Sequence, residues 1–415
     1  MPQGPGNAVA RHLLPTPPRR LGIAVSGGSD SVALLHLLYD FAQTYGTQLQ
    51  VVSVDHGLRA EAAQESAFVA TLCAGLGLPH ETVHWTGWDR QGNLQNEARQ
   101  ARYRLIAAWA RARDIETVAL GHTLDDQAET VLMRLARGAG VDGLSAMSPR
   151  RTSGGITWLR PLLDVSRLDL RNILKRRGVT WCDDPSNEDP HFDRVKVRQA
   201  LAVLEPLGIN AEALGQVAFN MSRARDALRW QAFLTARSMA KIERGAVRMN
   251  WRGYVTLPDE IARRLLVGAM GWISGSPYPP RRKSVLGLIE ALKQGVSATA
   301  DGCQVSRKSD ALWVYREYDP VRDMAGSIGD IWDRRWRLIG EAGSVPLHIA
   351  ALGPEGLKQL PEWRGLGVPR GVLLSTPAVW NGTNLVAAPL AGFQNGWHAR
   401  PEFDDEAFFA AVLSH

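Results

Sequence analysis

Ser26-Gly27-Gly28-Ser29-Asp30-Ser31 follows an apolar run at residues 21–25 and opens a helical pattern at residues 31–41. Small residues in a strand-to-helix turn let backbone N–H groups close on phosphate oxygens, with the positive end of the helix dipole behind them. Six such residues in this context favour an anion cradle over an ordinary capped helix start. The glycine spacing is not that of G-x-x-x-x-G-K-[ST], and no lysine is placed to reach a γ-phosphate. A GxGxxG pattern is absent too, so both P-loop phosphoryl transfer and a dinucleotide fold lose support.

Outward from this loop the chain alternates. Apolar runs at 50–54, 116–120 and 158–163 and a weaker strand at 80–85 alternate with helical stretches at 60–76, 94–114, 125–137 and 167–177, until the turn-rich residues 183–187 break the rhythm. Repeated βα units predict an α/β domain over residues 20–193, a parallel sheet sandwiched by helices. Ligands of such sheets sit at the carboxyl ends of the strands. Residues 1–19 read as a flexible lead-in, 194–318 as a mainly helical domain, and 331–415 as a small α+β domain after a linker at 319–330.

The 415 residues carry a net charge of +6 and three widely spaced cysteines, Cys73, Cys182 and Cys303. No CxxC pair or disulfide framework is available. With no signal h-region or membrane-length apolar run, the expectation is a cytoplasmic chain with no membrane partner. Residues 194–252 hold eleven basic and four acidic side chains, a net +7 that exceeds the charge of the whole chain. Basicity confined to one segment points to an anionic partner without saying which. Trp230 and Trp251 in that segment read first as packing residues and second as base-stacking platforms. Trp332-Asp333-Arg334-Arg335-Trp336-Arg337 reads equally as an edge strand or as a grip on RNA.

The loop resembles the SGGxDS motif of the PP-loop ATPases. That resemblance implies cleavage of ATP between its α- and β-phosphates, leaving an adenylated substrate and pyrophosphate. Ser26, Gly27, Gly28, Ser29, Asp30 and Ser31 would then bind ATP, with Asp30 holding a bridging Mg²⁺, since a bare carboxylate beside pyrophosphate is repulsive. Further blocks narrow the likeness: Val54-Asp55-His56-Gly57-Leu58-Arg59, Gly121-His122-Thr123-Leu124-Asp125-Asp126-Gln127-Ala128-Glu129-Thr130, Asn93 with Ala98-Arg99-Gln100-Ala101-Arg102-Tyr103, Arg137-Gly138-Ala139-Gly140, Arg160-Pro161-Leu162-Leu163 and Asp184-Pro185-Ser186-Asn187. Together they resemble the tRNA(Ile)-lysidine synthetase family, closely over about residues 20–200.

The resemblance implies a ligase that adenylates C2 of the wobble cytidine in the CAU anticodon of isoleucine tRNA. The ε-amine of free L-lysine then bonds to C2 and AMP leaves. Asp125, Asp126 and Glu129 supply carboxylates for the lysine ammonium, and one of them can act as base. Asp55, His56, Arg99, Gly121 and His122 fall to the ATP side. Arg194 and Arg198, four apart, suit phosphate or adenylate contact, and Asp30, Asp126, Glu129 and Arg198 are the catalytic candidates. Two departures from the family pattern are Thr123, where a second histidine is common, and Val195, where an asparagine is. A homodimer is left open. Of the rival readings, tRNA thiolation lacks clustered cysteines, a small-molecule amide-forming synthetase has no use for the basic segment, and a nucleotide sensor has none for the acidic cluster.

Overall fold

Leu21 and Ile23 of β1 (Arg20–Ala24) are fully buried, as strands covered by helices on both faces require. The computed structural model describes residues 4–57, 61–86, 94–183, 193–276, 279–341 and 345–414. The chain forms two compact units, Met1–Arg225 and Asp226–His415.

In the first unit, α1 (Pro5–Leu13) precedes β1, followed by α2 (Ser29–Tyr45), β2 (Gln48–Asp55), α3 (Glu61–Gly75), β3 (His80–His84), α4 (Leu94–Arg111), β4 (Thr117–Leu120) and α5 (Leu124–Leu135). Next come α6 (Val141–Leu144), β5 (Arg150–Ser153), β6 (Ile156–Leu159), α7 (Arg167–Arg176), α8 (Asp193–Leu204) and α9 (Ala211–Met239), within which the unit boundary falls. The sheet order is β3-β2-β1-β4-β6-β5. All neighbours pair parallel except β5 with β6. One face packs Leu21, Ile23, Val51 and Leu159 with Val32 and Leu35 of α2; the other packs Val52, Val118, Leu120 and Trp158 with Ile106 and Trp109 of α4. Strand order turns back between β1 and β4, so the loops after these two strands meet at a switch point, where α/β sheets bind ligands.

The second unit contains β7 (Ala240–Glu243), β8 (Ala246–Asn250), α10 (Trp251–Val255), α11 (Asp259–Ser274), α12 (Arg282–Lys293), β9 (Ala298–Ala300), β10 (Cys303–Lys308) and β11 (Ala311–Arg316). Its sheet, β7-β8-β11-β10-β9, is antiparallel throughout. Then follow β12 (Ala325–Ser327), β13 (Trp336–Ile339), β14 (His348–Ala351), α13 (Gly353–Lys358), α14 (Arg370–Leu374), β15 (Pro377–Asn381), β16 (Asn384–Ala387), β17 (His398–Pro401) and α15 (Asp405–Ser414), with sheets β12-β14-β15-β16 and β13-β17.

Several expectations change. Residues 5–13 are not a flexible lead-in but a helix, begun by Pro5 and seated on α2 through buried Ala8, Val9 and Leu13. The parallel sheet acquires an antiparallel edge, β5, whose four residues are all exposed and so carry no apolar signal. Residues 194–318, helical over α8 to α12, also carry the sheet β7-β8-β11-β10-β9: Arg244 and Gly245 both take positive φ, 54° and 77°, and turn β7 into β8 as a two-residue hairpin. Nor do 331–415 stand apart, because Phe408 and Val412 of α15 complete the core that α11 and β11 begin. The expected linker is structured too, with Val321 fully buried and β12 paired to β14. Trp332, Asp333, Arg335 and Trp336 are buried, so that run is a packing knot rather than a basic surface. Among the described residues no helix is long and apolar enough to cross a membrane.

Candidate active site

The phosphate loop is shaped from within. Gly27 has φ +90°, which an L side chain resists, and its carbonyl accepts the Cys182 N–H at 2.9 Å. Ser31 Oγ donates to the Gly28 carbonyl at 2.9 Å and accepts the Ser26 N–H at 3.2 Å, so this hydroxyl folds the loop. No side chain caps α2 at Gly28, which leaves the start of the helix open for an anion. From the neighbouring strand end, Gly121 presses on the loop: a Cβ there would lie 3.0 Å from the backbone N and Cα of Ser31.

Helix α5 delivers the acidic cluster. Thr123 is its N-cap, with a hydroxyl that accepts the Asp126 N–H at 3.4 Å, while Asp126 Oδ2 accepts the Thr123 N–H at 2.9 Å. This capping box fixes Asp126 and starts the helix. Glu129, one turn on, is 1% exposed. The residue that gathers these carboxylates is Arg167, at the first position of α7. Its Nε donates to Asp30 Oδ2 at 3.0 Å, and its other nitrogens lie 3.5 Å from Asp126 Oδ1 and 3.9 Å from Glu129 Oε1. Asp125 faces elsewhere, accepting the Arg167 backbone N–H at 2.7 Å and so anchoring α7. Arg198 Nε donates to Glu129 Oε1 at 2.6 Å, and Arg194 stands 4.0 Å from both Glu129 and Asp126. Glu129 Oε2 makes no hydrogen bond among the described residues.

Burial pushes the Asp30 and Glu129 carboxyls up, against the opposing pull of Arg167 and Arg198 respectively. At Asp126 burial also pushes up, but the Arg167 charge and the Thr123 amide prevail and hold it below the usual carboxylate range. His122 is held down to about 3, chiefly by burial, and is neutral at ordinary pH. The charges of Arg160, Arg102 and Arg99 all bear on it. Arg99 lies over the Tyr103 ring at 5.5 Å, and Arg160 donates to the Tyr103 hydroxyl at 3.3 Å. Asp55, at the end of β2, accepts the Gly57 N–H at 2.8 Å and lies 3.4 Å from His84; the His56 ring meets Trp85 edge-on at 5.9 Å.

The structure thus brings Asp30, Asp126, Glu129, Arg194 and Arg198 to one place, with His122 near Asp126, and keeps Asp55 and His56 at the next strand end. Asn93, Leu58, Arg59 and residues 184–187 lie outside the described residues. Sequence reasoning passed over Arg167 as part of a helix. A signal was present: arginine at the first position of a helix opposes the dipole and asks for a carboxylate partner.

Residues 6–205 match the PP-loop domain family. The chain is 52% identical to a tRNA(Ile)-lysidine synthase from Ruegeria pomeroyi, over 96% of this chain and 95% of that one. This chain belongs to the tRNA(Ile)-lysidine synthase family. A second family member, from Wolbachia pipientis wMel, is 31% identical over 89% of this chain and 88% of its own. Among solved structures, the U34-tRNA thiolase NcsA from Methanococcus maripaludis aligns with a TM-score of 0.46 at 17% identity, over 53% of this chain and 78% of that one.

The fold uses both positions at which the sequence is expected to depart from the lysidine synthase pattern. Thr123 is the buried cap of α5, and Val195 is 6% exposed in the packing of α8. The basic segment is divided: Arg194 and Arg198 face the carboxylates, Arg225 donates to Ser145 Oγ at 2.9 Å, Arg237 pairs with Glu406 at 2.5 Å, and Arg244 donates to the Leu390 carbonyl. All three cysteines are free; Cys73 and Cys303 are buried in separate cores, and only Cys182 borders the loop.

Proposed function

We propose that this chain joins L-lysine to C2 of the wobble cytidine in the CAU anticodon of isoleucine tRNA at the expense of ATP. The cytidine C2 oxygen attacks the α-phosphorus and pyrophosphate departs. The lysine ε-amine, having lost a proton, then attacks C2, and the C2–O bond breaks to release AMP. The observation that carries this reading is the convergence of Asp126 and Glu129 on the same guanidinium as Asp30 of the phosphate loop, which sets an amine site beside an adenylation site.

The residues fit ATP: the open start of α2, the positive-φ turn at Gly27 and the bare Cα of Gly28, where a Cβ would have, among the described residues beyond its chain neighbours, no atom closer than 3.9 Å, leave space for phosphate oxygens. Among the described residues no cluster of three or more ligating side chains could hold a metal, so Mg²⁺ would rest chiefly on the phosphates with Asp30 as its protein carboxylate. Such an ion neutralises charge on the phosphates. Gly121 and neutral His122 border the ATP side, with Arg99, Asp55 and His56 around it. Asp126 and Glu129 receive the lysine ammonium. Glu129, raised by burial, is the stronger base of the two and takes the amine proton. Arg194 and Arg198 hold the carboxylates in place and face incoming phosphate.

The test supplies Mg²⁺-ATP, unmodified tRNA and labelled lysine. Label entering RNA in step with AMP supports the reading. ADP as product, or AMP formation with no lysine entering RNA, overturns it.

A further inference from the structure

A concave site lined by charged and apolar side chains lies within the second unit. It measures about 580 Å³ and opens between Trp251, Arg252, Val255 and Thr256 on one side and Arg307 and Asp310 on the other. That volume is in the range of about 300–1,000 Å³ usual for ligand sites. Trp251 is not a bare platform: the indole is 8% exposed, stacked with Tyr254 at 6.2 Å and 21°, and carries the Arg307 guanidinium at 5.1 Å from its ring centroid. What the cavity is offered is therefore the exposed guanidinium of Arg307, backed by two packed aromatic rings.

Asp310 is set by the turn between β10 and β11. Its carbonyl accepts the Trp251 N–H at 3.0 Å, and its carboxylate accepts Asn250 Nδ2 at 3.2 Å and lies 3.4 Å from Arg252 Nε. Two cations, an acceptor and a planar backing occupy one concave place.

We infer that this cavity receives a single unpaired nucleotide of the RNA substrate, its base stacked on Arg307, its phosphate on Arg252, and an exocyclic amine donated to Asp310. The inference rests on the reading above that the chain acts on tRNA. Guanidinium planes stack unpaired bases and arginine pairs with phosphate. A carboxylate acceptor selects cytosine, adenine or guanine over uracil, which has no exocyclic amine.

The experiment measures binding of unmodified isoleucine tRNA, and of short oligocytidylate and oligouridylate strands, to the full chain and to Arg307→Ala, Arg307→Lys and Arg252→Ala. Arg307 is exposed, and unchanged melting temperatures confirm that the variants fold. Expected are tRNA binding weakened tenfold or more by Arg307→Ala, incomplete restoration by Arg307→Lys, which keeps charge but loses the plane, and a salt slope lowered by about one in Arg252→Ala. The wild-type chain binds oligocytidylate more tightly than oligouridylate. Wild-type affinity in Arg307→Ala, full rescue by lysine, or equal binding of the two strands overturns the inference. Lysine incorporation by the wild-type chain is measured alongside: its absence refutes the lysidine reading, whereas incorporation with a silent Arg307→Ala refutes the cavity alone.

Discussion

Arg167 Nε lies 3.0 Å from Asp30 Oδ2 across 137 residues of chain, and this contact closes the acidic cluster onto the phosphate loop. Both side chains are about one-fifth exposed, at 21% and 19%, so the pair is shielded from bulk water. Removing Arg167 leaves Asp30, Asp126 and Glu129 facing one another with one cation fewer. Arg167→Ala is expected to cost on the order of 3 kcal/mol of stability and to abolish AMP formation. Denaturant unfolding and an AMP assay check it, with Arg167→Lys recovering stability more than activity because it cannot reach all three carboxylates.

Gly121 and Gly28 separate shape from ligand space. A Cβ at residue 121 collides with Ser31 backbone at 3.0 Å, so Gly121→Ala is expected to lower the melting temperature and weaken ATP binding together. Among the described residues beyond its chain neighbours, a Cβ at residue 28 meets no atom closer than 3.9 Å, so Gly28→Ala is expected to keep its melting temperature and lose ATP affinity. Calorimetry with and without nucleotide distinguishes them; intact ATP binding in Gly28→Ala would place the phosphates elsewhere.

Thr123 bears on both helix and carboxylate. Thr123→Ala removes the cap of α5 and is expected to cost about 1 kcal/mol, while Thr123→Ser restores it. Asp126 also loses the hydroxyl donor 3.1 Å from its Oδ2, so the alanine variant should show a raised lower pKa in the pH–rate profile.

His122 sets an acid limit. Its folded value is about 3, against about 6.5 for an unperturbed histidine, so on acidification the unfolded chain takes up this proton first. The stabilising contribution is complete above about pH 6.5 and is lost progressively as pH falls toward 3. Asp30 and Glu129, whose values are raised, act in the opposite sense, favouring the fold where they are protonated. His122→Asn is therefore expected to flatten the fall of melting temperature between pH 6.5 and 4; an unchanged slope would remove His122 as its cause.

Much of this was legible in order along the chain. Apolar runs marked β1, β2, β4 and β6, because inner strands covered on both faces are largely apolar, while β3, an edge strand reading His-Glu-Thr-Val-His, gave only a weak signal. β5 escaped because an edge strand with four exposed residues has no such requirement. The β7–β8 hairpin escaped because Arg244 takes the positive-φ position where asparagine usually signals a turn. Asp30, Asp126 and Glu129 stood out as candidates from the motifs that hold them, since a loop and one helix face are short-range patterns.

From the sequence alone came the phosphate loop and the βα alternation, because each depends on residues within a turn or two of one another; the kind of ATP chemistry followed from the resemblance of that loop to the SGGxDS motif. Only the tertiary structure decided that Arg167 joins loop to acidic cluster, that Asp125 anchors a helix, and that α15 completes a core begun by α11. Those are pairings across more than forty residues. They are set by which strands lie side by side and by the need of each buried charge for a partner, which no local pattern records.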